Sequence, residues 1–352
     1  MIDRNSKATA QPTTRVVRRR PGSLSLWCLA LCLPTLAFAA RPVDPPSVEF
    51  TRGSNNVVVA TVLDKPDLTH VQLKVEALLS GTDEGDFVLR GPTEAFADLA
   101  VGERYVVAFT RLANNDQFRD AKFLDPEGAR ALRLRGARVP SVFHDTPALR
   151  FLVSRARGDE QPSDRERLDA VLALMQHHHP RVVAFGVEEL YLRNELAEVV
   201  TDRDLAIIKA TMRDPTLHTQ LRQFLLEASL AFPGGATAPW VLEEARRTLW
   251  QLGPVLDLQS AESLLASTAL ESLAAVKDPA DLPVLLSMLG ANSPPVVRNA
   301  LKLASALDAP ATMSAVRSEL DSSLLRDDVH ADTRRLFERY LLDALLLDED
   351  AS

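Results

Sequence analysis

The chain has 352 residues, 46% of them hydrophobic, with 40 Lys and Arg against 48 Asp and Glu for a net charge of −8. That length allows two or three domains with real cores, and the composition is that of a folded soluble protein. An acidic surface argues against nucleic acid and anionic membrane as partners.

The first 39 residues are expected to be a secretory signal peptide. Arg15, Arg18, Arg19 and Arg20 precede an apolar run from Leu24 to Leu36, and Ala37-Phe38-Ala39 places the cut after Ala39 or Ala40. The run is shorter than the roughly 20 apolar residues of a spanning helix, so no membrane insertion is expected after cleavage. The expected destination is export: the periplasm in a Gram-negative bacterium, secretion otherwise. Cleavage leaves 34 basic and 47 acidic residues, a balance of −13. The only cysteines, Cys28 and Cys32, leave with the signal. The mature chain therefore has no disulfide, thiolate nucleophile or zinc–cysteine site.

Residues 40–144 are expected to form a β domain. A proline-rich lead-in, residues 41–46, is followed by a β pattern from Ser47 to about Phe109. Val57 to Leu63 is a β-branched run, and Thr69 to Leu78 alternates polar and apolar with period two. Phe87 to Arg90 is a short strand. Leu99 to Phe109, "LAVGERYVVAF", predicts a Gly-Glu turn feeding a strand whose bulky residues fill a barrel. Phe123-Leu124 and Ala131 to Leu134 are further candidates. The series predicts five or six short antiparallel strands forming a barrel or small sandwich. In strand order and in "LAVGERYVVAF" this block resembles the OB-like barrel of netrin-type and metalloproteinase-inhibitor-type domains. It departs from them in having no cysteine, and it lacks the aromatic platform and basic groove of a nucleic-acid-binding barrel.

Residues 145–164 are expected to be a connecting helix and polar linker. Asp145-Thr146-Pro147 reads as a helix start, with a capping residue and a proline in the first turn.

From 165 to 347 a unit repeats. Met175, Met212, Trp250 and Met288 each close a helix before a short turn and a proline, at spacings of 37, 38 and 38 residues. A period near 40 in a helical segment means stacked helix pairs, here four to five. The second helices are Val182–Leu190, Leu221–Leu230, Leu264–Leu273 and Val296–Leu307, each with apolar residues at three- and four-residue steps. Ala184, Gly186, Ala228, Ala269, Ala300 and Ala304 allow close approach between them. A looser fifth unit spans Thr312 to Leu347, and 348–352 is an acidic tail. The segment resembles the HEAT and armadillo-like repeat family, most closely at Asn292 to Ala300, "NSPPVVRNA". The fold class is thus multidomain, β plus all-α: a small antiparallel barrel or sandwich, then an α-α solenoid.

His177, His178 and His179 lie at the turn between paired helices. Other repeats place Arg213-Asp214 or Ala291-Asn292-Ser293 in that slot, so a solvated turn is expected rather than a metal site. Glu188-Glu189 is expected on a solvated helix surface. Asp327-Asp328 suits the positive end of the last helix. No H-E-x-x-H, G-x-S-x-G, G-x-G-x-x-G or P-loop occurs, and no cofactor is expected.

Family resemblance implies that second helices lie side by side and line a concave surface that receives a partner. Arg222, Glu227, Glu271, Arg298 and Lys302 are charged residues on those otherwise apolar helices, and so are the candidate partner-binding stripe. The expected function is non-enzymatic binding of a protein or peptide. The alternatives are an envelope enzyme or inhibitor with its site between the β domain and the first repeat, and a purely structural support.

Overall fold

Val57 to Leu63 is apolar at nearly every position because its strand is buried on both faces. Val58, Ala60 and Val62 point into the sheet's own core, while Val57 and Val59 belong to a second core shared with the helices. The partner strand alternates the same way. Tyr105, Val107 and Phe109 face inward, and Val106 and Ala108 face the helices.

These contacts come from a computed structural model. It describes residues 44–349 except 53, 83–84, 112–129, 133–139, 157–160, 255–256, 259 and 325–330. The expected signal segment, the Phe123-Leu124 strand, Asp327-Asp328 and the end of the acidic tail lie outside the described residues.

Helix α1 (Pro46–Arg52) opens the described chain, where the sequence pattern suggests the start of the β region. Pro45 and Pro46 set the first turn, and Phe50 and Thr51 turn inward. The sheet follows: β1 (Asn56–Asp67), β2 (His70–Ser80), β3 (Asp86–Arg90), the short helix α2 (Thr93–Phe96), β4 (Arg104–Arg111), β5 (Arg130–Leu132) and β6 (Val142–His144). β1 pairs with β2, β2 with β3, β4 with β5, β4 with β1 and β6 with β4, all antiparallel. β3 meets β5 in parallel, through Leu89–Arg130 and Arg90–Ala131 only. The sheet therefore curls on itself, with its thinnest step at β3–β5. Gly102, at φ 87°, makes the turn into β4 and donates its N–H to the Val62 carbonyl at 2.8 Å.

The described α-helices after the sheet fall in pairs behind a connector. The connector is α3 (Pro147–Arg155), capped by the Thr146 hydroxyl, which accepts from the Leu149 N–H at 3.0 Å. The pairs are α4 (Asp164–Met175) with α5 (Pro180–Leu192), α6 (Asp202–Arg213) with α7 (Thr219–Ser229), and α8 (Pro239–Leu252) with α9 (Ala261–Ala274). They continue with α10 (Leu282–Ser287) and α11 (Pro294–Leu307), then α12 (Ala309–Leu324) and α13 (Ala331–Glu349). The second helices α5, α7, α9 and α11 are consecutive neighbours and pack on one another more closely than the first helices do. Ala269, Ala300 and Ala304 are fully buried in that layer. At Gly186 an added Cβ would lie 3.0 Å from both Leu174 Cβ and the Val171 carbonyl oxygen, so α5 can approach α4 only without a side chain there.

One anchor differs from expectation. Met175, Met212 and Met288 are buried, but Trp250 is 59% exposed and Leu249 fills the slot at 0%. The buried stripe of α8 runs through Val241, Leu242, Ala245 and Leu249, and position 250 falls off it.

The sheet and the repeats share one compact unit, Val43–Ser352. Phe143 of β6 joins them, with its ring 5.7 Å from Phe50 and 5.1 Å from Phe185 of α5. Beside this trio Glu189 is fully buried, not solvated as its sequence context suggests. It accepts from Arg193 Nε at 2.7 Å and from the Ser47 backbone N–H, while Arg193 Nη2 donates to Ser47 Oγ at 3.2 Å. A buried carboxylate is tolerated only when partnered in this way. No described helix is long and apolar enough to cross a membrane.

Candidate functional site

Charged clamps join successive first helices. Arg165 of α4 grips Asp204 of α6 with two bonds, of 2.6 and 2.9 Å. Arg213 of α6 donates Nε to Glu244 of α8 at 2.6 Å. Arg246 of α8 donates to Asp281, just before α10, at 2.5 Å and to Asp278 at 2.9 Å. The three central carboxylates are buried: Asp204 3%, Glu244 0% and Asp281 1% exposed. Arg165, through hydrogen bonding, holds the Asp204 carboxyl well below the usual carboxylate range.

The outer two clamps carry surplus acid. Asp169 joins Arg165 and Asp204 in the first, and Asp278 joins Arg246 and Asp281 in the third. The middle clamp gathers extra arginine as well as acid. Arg247 also donates to Glu244, and Arg222 of α7 stands on the far side, its Nη2 bonded to the Asp214 carbonyl at 2.7 Å. Two further acids stand by: Glu243, 3.5 Å from Arg213 at the rim, and Asp214, whose carboxyl the Thr216 N–H and hydroxyl, and then the charge of Arg222, hold below the usual carboxylate range.

The three arginines, but not Glu243 or Glu244, line a pocket of about 390 Å³ between the second and third helix pairs. Its walls include Arg213, Arg222 and Arg247 with Met212, Leu252 and Leu265. The Nε atoms of Arg222 and Arg247 are buried there without a hydrogen-bond partner. Burial, then the like charges of Arg213 and Arg222, push the Arg247 pKa below the usual guanidinium value, with Glu243 opposing.

Of the five residues of the expected stripe, only Arg222 lines this pocket. Glu227 lies in a separate open groove and accepts from the Tyr191 hydroxyl at 3.2 Å, where Tyr191 stacks on Phe224 at 4.4 Å. Glu271, Arg298 and Lys302 are exposed on α9 and α11. Arg213 and Arg247 escaped the sequence analysis because they sit on first helices. Their available signal is the dense "EEARR" of residues 243–247 in an acidic chain.

The histidine turn is only partly solvated. His178 is exposed, but His177 and His179 are half-buried. His179 caps α5, its Nδ1 accepting from the Arg181 N–H at 3.3 Å, and His177 Nδ1 accepts from the His179 N–H at 3.0 Å. The His179 ring lies 4.2 Å from His144 of β6. Among the described residues no group of three or more His, Asp or Glu is arranged to hold a metal ion. No family model matches the chain, and no curated protein or solved structure shows significant similarity to it.

Proposed function

We propose that this chain is an exported, non-enzymatic binding protein, with HEAT/armadillo-like repeats behind an OB-like barrel, that holds a protein or peptide partner on its helices. The observation that carries this reading is the continuous layer of second helices, buried on one side and bearing Glu271, Arg298 and Lys302 exposed on the other. Extended layers of this kind are the surfaces on which helical repeats receive partners. The pairing circuit β1-β2-β3-β5-β4-β1 supports the OB-like reading, since that fold is a five-stranded, partly open Greek-key barrel. The outer face of β1 and β4 is covered by helices, which leaves the repeats as the larger free surface. The basic and apolar segments before Ala39 support export. The alternative, an enzyme or inhibitor site between sheet and first repeat, is weaker because Phe50, Phe143 and Phe185 fill that junction.

The test is charge reversal at Arg298→Glu and Lys302→Glu. The melting temperature should hold while a partner recovered from the cell envelope with the mature chain is lost. If binding survives both changes but falls with Val88→Asp on the exposed side of β3, the barrel is the binding module. N-terminal sequencing of the exported chain should begin at Ala40 or Arg41.

A further inference from the structure

We infer that the open groove between α5 and α7 is a seat for a lysine side chain of the partner, with the Glu227 carboxylate holding its ammonium. The inference rests on the function proposed above and gives the partner a chemistry. Glu227 lies in the last turn of α7, where the negative end of the helix disfavours an acid, and that turn holds no basic residue. Its Oε1 accepts from the Tyr191 hydroxyl at 3.2 Å. Among the described residues nothing donates to its Oε2 and no cation pairs with it. That oxygen is not among the buried, unpartnered atoms, so it keeps surface open to an incoming group. The groove measures about 530 Å³, and of the described residues lining it Glu227 alone is charged.

The neighbouring cations are engaged elsewhere. Arg193, at the end of α5, holds Glu189, Glu195 and the Ser47 hydroxyl, one arginine against two acids. Arg222 shares α7 with Glu227 but lines the pocket toward the third pair, where it holds the Asp214 carbonyl. Burial, then the Glu227 carboxylate, push the Tyr191 phenol above its ordinary value, and no cation opposes them. The bond from Tyr191 does not itself require a charge, because a glutamine would accept it as well. What the acid adds is an uncompensated charge at a helix end that repels it, and an entering cation relieves that repulsion.

The free acceptors select the cation. A guanidinium fork is best matched by both oxygens of a carboxylate, and here Tyr191 already occupies one. An ammonium is a point charge with three N–H donors. It suits a single free carboxylate oxygen, with the Tyr191 oxygen and the Asn194 side-chain carbonyl at the same groove as further acceptors. Leu192, Leu230 and Ala231 offer an apolar wall to a four-carbon stem.

Amide NMR titration of the exported chain tests this with three blocked pentapeptides, alike except for lysine, arginine or glutamine at the centre. The lysine peptide should saturate one site, with shifts confined to residues 191–194 and 227–231. The glutamine peptide should bind about tenfold more weakly, the scale of one charge-assisted hydrogen bond, and the arginine peptide about fivefold more weakly. Glu227→Gln keeps an acceptor for Tyr191, so its melting curve should match the wild type while lysine-peptide affinity falls about tenfold to the level of the glutamine peptide. Should that variant loosen the fold, the wild-type preference for lysine over glutamine decides alone. No saturable binding at those amides, a glutamine or arginine peptide as tight as the lysine one, or affinity unchanged in a folded Glu227→Gln overturns the seat. Lysine binding lost in Glu227→Gln supports it even where Arg298→Glu and Lys302→Glu leave the captured protein bound. A captured protein lost in those two variants, with no lysine-peptide binding, keeps the proposed function and sinks the seat.

Discussion

The sheet and the repeats solve the same burial problem at different ranges. A second helix buries its stripe against neighbours one pair away, and one clamp of arginine and carboxylate ties each of the first three pairs to the next. β1 and β4 instead bury both faces at once, one against their own sheet and one against helices. Repeats confine damage because each contacts only its neighbours. A strand shared by two cores passes damage to both.

The sharpest way to break that contrast is Phe143→Ala. This side chain touches α1 and α5 from the sheet, and its loss should cost about 3–5 kcal/mol. Hydrogen exchange should show β1 and α5 losing protection together; loosening of one alone would refute the shared core. Ala300→Glu probes the other regime. It places an unpaired charge at a fully buried position on α11, at about 3 kcal/mol. Protection should fall in α10, α11 and α12 while β1 and β4 keep theirs.

The smallest effects belong to the turn where the two regions meet. His179→Ala removes the α5 cap and should cost about 1 kcal/mol, His179→Asn should restore most of it, and His178→Ser should stay within about 0.5 kcal/mol. Burial first, then the His178 and His144 rings, hold His177 below the ordinary histidine value of 6.5. At His179 burial, His144 and Arg181 act the same way, and Asp98 opposes them. The folded state thus takes up these protons less readily than the unfolded chain. Their contribution is intact above the unfolded value near 6.5 and is lost as pH falls through the lower folded values. Chemical denaturation across that window should show stability falling with pH, and a shallower fall in His179→Asn.

What was legible in the sequence was whatever local periodicity encodes. All four expected second helices lie within or nearly within α5, α7, α9 and α11, and β1 to β4 follow the expected runs. The failures were matters of phase and distance. Trp250 and Leu249 are adjacent and both large, and only the rotation of α8 decides which is buried. Glu189 looks like a surface residue until Ser47 and Arg193 arrive from other segments. β6 is three residues long and β3–β5 pairing spans two, too short for a pattern. The three arginines of the pocket come from three helices, and no spacing rule joins 213, 222 and 247.

The bond from the Ser47 backbone to Glu189 spans 142 residues of chain. Closing a flexible loop of that length costs about 4 kcal/mol of entropy before any contact repays it. α1 can rest on α3 and Phe143 beforehand, but it completes its docking only when the second helix of the first repeat has been made. A nascent chain that ends before α5 would leave Phe50 and Phe143 without the Phe185 ring that closes their cluster. Such a fragment is sticky, and its assembly is slow because the decisive contacts are distant. The repeats can grow outward from that point one pair at a time, so the completion of α5 is the moment at which the molecule becomes safe to release.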